Sequence, residues 1–244
     1  AYGRIGVYQI QDMMRRLSAG QETDIAQVAH KTRALLGALP PSHWQVKRLG
    51  GLPDQHSPDA EIIDKYLHPH DRAFTVPGIF ELVETTGLAF SGFARPLWYD
   101  PDFALPRKSF GPELDAMNWQ QKAAFAEILH GAFHDRHIFY ASKRTPPPTQ
   151  PAPDDLAATP VWLGPPIPRD QTRMGLPGPI PTRFAGSEVT LLKAIDGTKT
   201  IEQLATALME QGIFTHWDPF MTTWRRVYQT THGRGQLMLS ATAG

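Results

Sequence analysis

The sequence contains no cysteine. It therefore has no disulfide framework, no thiol nucleophile and no thiolate-held metal. No apolar run reaches the roughly 18 residues that a membrane-crossing helix needs. Twenty-four basic side chains balance 24 acidic ones, so no global field gathers nucleic acid or an anionic membrane surface. There is no G-x-G-x-x-G after a strand-like run, no P-loop and no G-x-S-x-G elbow. These absences fit a cytoplasmic protein with neither nucleic acid nor membrane as partner. The first residue is Ala rather than Met, and no charged-then-apolar leader follows. A processed N-terminus or a segment of a longer product is the expectation.

Proline is abundant and unevenly placed. Of 23 prolines, 12 lie between Pro146 and Pro181, which predicts a stiff, extended connector over 145–183. Residues 1–144 and 184–244 flank it as folded parts. The first part opens with helical patterns. Val7, Ile10, Met13, Met14 and Leu17 stripe one helix over 7–18, and Ile25, Val28, Ala29, Thr32, Leu35, Leu36 and Leu39 stripe another over 24–38. Residues 40–58 read as loop and Asp59–Leu67 as a short helix.

The stretch from His68 to Phe93 carries the clearest pattern. Thr75 and Pro77 suit a helix start, Val76, Ile79, Phe80 and Val83 recur at helical spacing, and Gly87 suits a left-handed stop. Leu88–Phe93 follows as a strand, with Leu88, Phe90 and Gly92 on one face and Ala89, Ser91 and Phe93 on the other. Arg95–Met117 reads as a long ordered loop in which Trp98, Tyr99 and Phe103 are buried anchors. Asn118 and Gln121 then form a capping-box pattern for a helix to His130, with Phe125, Ile128 and Leu129 as its apolar contacts. Arg136–Ser142 is a second strand, able to pair antiparallel with the first. In the tail, helices are predicted from Ser187, from a Thr200/Gln203 capping box, and from Asp218-Pro219, before a final strand over Gln236–Ser240. Three helices and a wing-like strand suggest a small winged-helix-type module.

Few residues invite a chemical role. The pairs His68/His70 and His134/His137 fall short of the three or four convergent ligands a metal requires, so no metal site is expected. Asp71 and Arg72 read best as braces for the helix beginning near Val76. Tyr8 and Gln11, at i and i+3, share one side of the first helix, close to Tyr2 and Arg4. Arg225, Arg226 and Arg234 could form a basic face, but residues 184–244 hold five basic and five acidic side chains, without the excess a duplex binder shows.

Three ordered blocks carry a family resemblance: YGRIGVYQIQ at 2–11, LHPHDRAFTVPGIFELVETTGLAFSGF at 67–93, and FAEILHGAFHDRHIFYASK at 125–143. Through these, residues 1 to about 143 resemble the C-terminal half of class I S-adenosylmethionine-dependent methyltransferases. The tail's LLKAIDGTKTIEQLATAL looks like winged-helix-type modules appended to enzymes and peptide-binding proteins. The resemblance implies an α/β chain, the C-terminal part of a Rossmann-like fold with a helical lid and antiparallel edge strands. Alone, such a chain would look α+β and helix-rich. It further implies that Tyr2, Arg4, Tyr8 and Gln11 lie near the methyl-acceptor pocket, with His68 and Arg72 on its rim. Family members hold S-adenosylmethionine with a glycine-rich loop after the first strand and an acidic residue at the end of the second. Neither occurs here, so this segment is expected to bind no cofactor and to be inactive alone. The implied partners are the missing N-terminal half or another chain, and a small-molecule or peptide acceptor. A non-catalytic adaptor that binds a peptide or partner subunit through the tail is the alternative.

Overall fold

The computed structural model describes residues 2–17, 24–51, 54, 56–68, 70–131, 134–143, 146, 151–176 and 182–241. They form two compact units, Ala1–Val76 with His130–His137, and Pro77–Leu129 with Ile138–Gly244. The architecture is helix-rich with small antiparallel sheets, an α+β arrangement.

In the first unit a 3-10 turn at Tyr2–Arg4 leads into helix α1 (Ile5–Leu17), which buries Val7, Ile10 and Met14 at helical spacing. Asp24 caps α2 (Ile25–Ala38), its carboxylate accepting from the Ala26 amide at 3.0 Å. Helix α4 (Asp59–Tyr66) adds Ile62 and Tyr66 to a core that also holds Ala29, Leu36 and Leu39. The stretch 40–58, expected as loop, contains a further helix, α3 (Trp44–Leu49). His43 caps it by accepting from the Gln45 amide at 3.2 Å, and Gly50 closes it at φ 69°. It lacked an apolar stripe because the residue it buries is an amide, Gln45.

The second unit begins with most of α5 (Val76–Thr85), stopped by Gly87 at φ 68° and followed by β1 (Ala89–Phe93). β1 pairs antiparallel with β2 (Phe139–Ser142) in a two-stranded sheet. The expected alternation of faces along β1 fails, because the register slips between Phe90 and Gly92. The bulge brings Phe90 and Phe93 together, ring centroids 4.9 Å apart, beside Phe80, Trp119 and Phe139. The predicted loop over 95–117 is also corrected. It holds 3-10 turns at Pro96–Tyr99 and Pro101–Phe103 and a helix, α6 (Arg107–Ala116), with Pro112 inside. An interior proline ordinarily argues against a helix, which hid this one.

Asn118 and Gln121 exchange side-chain-to-amide hydrogen bonds of 2.9 Å at the start of α7 (Trp119–Leu129). Its packed face differs from the expected one. Ala123, Ala126 and Glu127 are buried, whereas Phe125, Ile128 and Leu129 are exposed. Small residues let α7 approach the Pro96–Tyr99 turn closely, and bulk on that face would hold it off.

The proposed connector is partly built into the C-terminal core. β3 (Thr159–Trp162) pairs antiparallel with β6 (Leu237–Ser240), and β4 (Arg173–Leu176) pairs with β5 (Thr182–Ala185). Pro160 is tolerated because β3 has one partner strand only among the described residues. The connector's residues 145, 147–150 and 177–181 lie outside the described residues. Helices α8 (Ser187–Ala194), α9 (Ile201–Glu210) and α10 (Trp217–His232) close around Phe184, Leu191, Leu204, Phe220 and Trp224. The Thr200/Gln203 capping box is present in both directions. Asp218 does not cap α10. His216 precedes its first residue, and Asp218 and Pro219 sit inside the first turn.

Candidate functional site

The first unit brings together three of the expected site residues, Arg4 at the end of the 3-10 turn and Tyr8 and Gln11 on α1. Two glycines make this possible. A Cβ on Gly3 would stand 2.7 Å from the backbone of His134 and Asp135, and one on Gly6 would stand 2.7 Å from the Gln45 side chain. Neither site admits a side chain without displacement. The Gly3 amide donates to the His134 carbonyl at 2.9 Å and fixes the start of α1.

From that start, Arg4, Tyr8 and Gln11 follow at i, i+4 and i+7. Asp71 anchors two of them, Arg4 and Gln11. Arg4 pairs with its carboxylate, and Gln11 donates to the same oxygen at 3.5 Å and to the Lys65 carbonyl at 3.5 Å. The Arg4 guanidinium lies 5.8 Å from the Tyr8 ring centroid. The Tyr8 hydroxyl is buried without a hydrogen-bond partner among the described residues. A buried hydroxyl in that state favours any ligand that can pair with it.

Asp71 was expected to brace the helix at Val76, and the structure gives it to Arg4 instead. Arg72 stacks locally, its guanidinium 5.0 Å from the Phe74 ring centroid. His68 Nδ1 accepts from the His70 amide at 3.1 Å. Tyr2 is exposed. The expected six thus divide into a joined trio and three residues in local settings. Asp71 was missed because its partner is 67 positions away.

A second polar cluster sits beneath. Tyr66 donates to Asp54 at 2.6 Å, and Lys65 pairs with the same carboxylate. Burial works to raise the Asp54 pKa, but the hydrogen bonds from Lys65 and Tyr66 and the charges of Lys65 and Arg48 outweigh it and hold the carboxyl below its usual range. Arg48 also bridges to Asp135 at 2.9 Å. The rings of His130, His134 and His137 form a ladder with centroid spacings of 6.3 and 5.6 Å. Among the described residues no group of three or more His, Asp or Glu is arranged to hold a metal.

In the second unit, the three tail arginines do not make a basic face. Arg225 forms a two-toothed bridge to Asp154 at 2.9 and 3.1 Å, Arg226 pairs with Glu188, and Arg234 is buried. Two cavities flank the junction where the Leu97 amide donates to the Gly233 carbonyl at 2.8 Å. One, of about 520 Å³, is lined by Leu97, Phe103, Pro153, Arg225, Tyr228 and His232. The other, of about 560 Å³, includes Arg95, Trp98, Tyr140 and Arg234. Trp98 and Phe103, expected as buried loop anchors, are cavity walls. No helix among the described residues is long and apolar enough to cross a membrane. The chain matches no known family model.

Proposed function

We propose that this chain is the acceptor-side portion of an S-adenosylmethionine-dependent methyltransferase, with cofactor binding supplied by another segment or a partner chain. The observation that carries the proposal is the Asp71 anchor. It holds Arg4 and Gln11, and Arg4 lies beside Tyr8, whose hydroxyl is buried and without a partner among the described residues. The order of elements gives further support. A helix leads into β1 and a helix precedes β2, and the two strands pair antiparallel, as edge strands of a Rossmann-like sheet would. A two-stranded sheet is marginal in water and gains from further strands.

The residues described here do not themselves suit the cofactor, since no strand is followed by a glycine-rich loop. When bound, the cofactor supplies an electrophilic methyl group on a sulfonium. This chain's part is to hold the acceptor in line, with Tyr8 as hydrogen-bonding group and Arg4 as fixed charge. The acceptor is a small molecule or a peptide. The C-terminal part, three helices ending in strand β6 with the β4–β5 hairpin ahead of them, is read as a winged-helix-like module tethered to the enzyme.

Calorimetric titration of S-adenosylmethionine tests the proposal. No heat is expected with this chain, and saturable heat is expected with a longer product that includes upstream coding sequence. Silence from both refutes the methyltransferase assignment and favours the adaptor, whose docking groove would be the cavity between Phe103, Pro153 and Tyr228.

A further inference from the structure

The second cavity of the C-terminal part has a composition that methyl transfer does not use. It lies where the end of β1 meets the turn after α10, and it is built rather than incidental. Gly235 has φ 69°, and a Cβ there would fall 2.2 Å from the Ala94 carbonyl oxygen, so only glycine lets the two segments meet. On the opposite rim the Trp162 indole donates to the Pro165 carbonyl at 2.9 Å, and a Cβ on Gly164 would strike the Trp162 ring at 2.4 Å. The Leu163 amide donates to the Gln236 carbonyl at 2.8 Å. These bonds hold both walls in place before any ligand arrives.

Its lining combines two guanidinium groups with flat and apolar side chains. Arg234 is only 7% exposed, and its Nη2 donates to Thr182 Oγ1 at 3.0 Å. Arg95 is exposed and lies over Trp98, 4.8 Å from the ring centroid. Tyr140, Leu163, Leu176 and Met238 supply apolar surface. Gln236 also lines the cavity, with its side-chain Oε1 buried and without a described partner. A half-turn of that amide offers N–H or C=O to a ligand.

We propose that this cavity binds a small aromatic carboxylate, its anion held by Arg234 and Arg95 and its ring laid along Trp98 and Tyr140. The size supports this. About 560 Å³ falls within the range of small-molecule sites and is far more than an inorganic anion needs. Charge supports it too. Two guanidinium groups and no carboxylate are among its lining residues, so a bound anion meets positive charge there. Guanidinium groups match carboxylates with paired hydrogen bonds, and Arg stacks on aromatic faces. The site is independent of the methyltransferase proposal and stands if that proposal fails.

The test uses the full 244-residue chain with 1-naphthoate as probe, and 1-naphthamide and inorganic phosphate as controls, in isothermal titration. Naphthoate is expected to bind saturably, the neutral amide about tenfold more weakly, and phosphate without competing at equal concentration. Arg95→Gln is expected to weaken naphthoate about five- to tenfold with an unchanged thermal midpoint, because Arg95 is exposed. Arg234 is buried and its replacement endangers the fold, so Arg95→Gln is the deciding variant. Absence of naphthoate binding at millimolar concentration overturns the proposal. So does equal binding of acid and amide, displacement by phosphate, or wild-type affinity in the Arg95→Gln protein.

Discussion

The Tyr66 hydroxyl donates to Asp54 Oδ2 across 2.6 Å, and the residue that receives this bond has a left-handed backbone, φ 45°, rare outside glycine. Tyr66 is wholly buried while Asp54 sits at the edge of the unit. The pair therefore ties Asp54, with its left-handed backbone, to the core. Burial first, then the hydrogen bond and charge of Asp54, push the Tyr66 pKa well above its ordinary range.

The pH consequence follows in two windows. Asp54 has a depressed folded pKa, so its contribution is present above the unfolded value near about 4 and is lost as pH falls through the folded one. Tyr66 has a raised folded pKa, so its contribution is complete below about 10 and is lost as pH rises toward the folded value. Tyr66→Phe is expected to cost about 1–3 kcal/mol at neutral pH. It should also flatten the alkaline arm of a urea-denaturation pH series. An unchanged alkaline arm would show that the bond contributes nothing there.

His130 gives an intermediate window. Burial lowers its pKa, and its Nε2 is buried without a described partner. The unfolded chain therefore takes up the proton first, and stability should fall as pH drops below about 6.5. His130→Gln is expected to reduce that slope between pH 7 and 5. Thermal melts across the range measure it.

Breaking the Asp71 anchor should loosen the start of α1. Asp71→Asn is expected to cost about 1–3 kcal/mol, because a partly buried Arg4 loses its counter-charge. Amide exchange along Ile5–Gln11 should accelerate while that of α9 stays unchanged. Uniform acceleration across both helices would refute a local role.

Gly235→Ala should be among the costlier glycine substitutions. It combines a positive φ with a 2.2 Å approach to a backbone oxygen, whereas Gly175 has neither. A loss above about 1 kcal/mol is expected for Gly235→Ala and near-neutrality for Gly175→Ala. Equal denaturation midpoints for the two variants would falsify the steric account of the turn.

Trp224 is the largest fully buried side chain of the C-terminal core, and its indole donates to the Pro153 carbonyl at 2.7 Å. Trp224→Phe removes the donor and some volume, Trp224→Ala nearly everything. About 1–2 kcal/mol is expected for the first and about 3–5 for the second. If the proline-rich stretch were a free tether, the smaller change would leave proteolysis near Pro153 unaffected. It is expected to speed it.

Helices whose apolar residues recur at three and four were legible from the sequence. Val7, Ile10 and Met14 in α1 and Ile201, Leu204 and Leu208 in α9 are buried as their spacing requires. Local caps were legible for the same reason, since Thr200 and Gln203 are three apart and meet without help from the rest of the chain. Three features were hidden. Helix α3 buries Gln45, α6 contains Pro112, and α7 packs on Ala123 and Ala126 while its bulky residues face outward. In each the deciding partner is remote, and the local pattern pointed elsewhere. Of the site, Tyr8 and Gln11 on one side of the first helix could be read from helical spacing, but the joining of Arg4 to them and the role of Asp71 could not.

The sequence by itself determined the helices whose apolar residues recur regularly, which of their residues share a face, and that no thiol chemistry is available. Those are matters of near-neighbour geometry, settled within a turn or two of backbone. Only the tertiary structure decided that Thr159–Trp162 leaves the proline-rich stretch to pair with Leu237–Ser240 and that a bulge puts Phe90 beside Phe93. It also decided that Arg95 and Arg234 line one cavity. Strand pairing and ion pairing join residues that are far apart along the chain, and their free energy appears only after loops have closed.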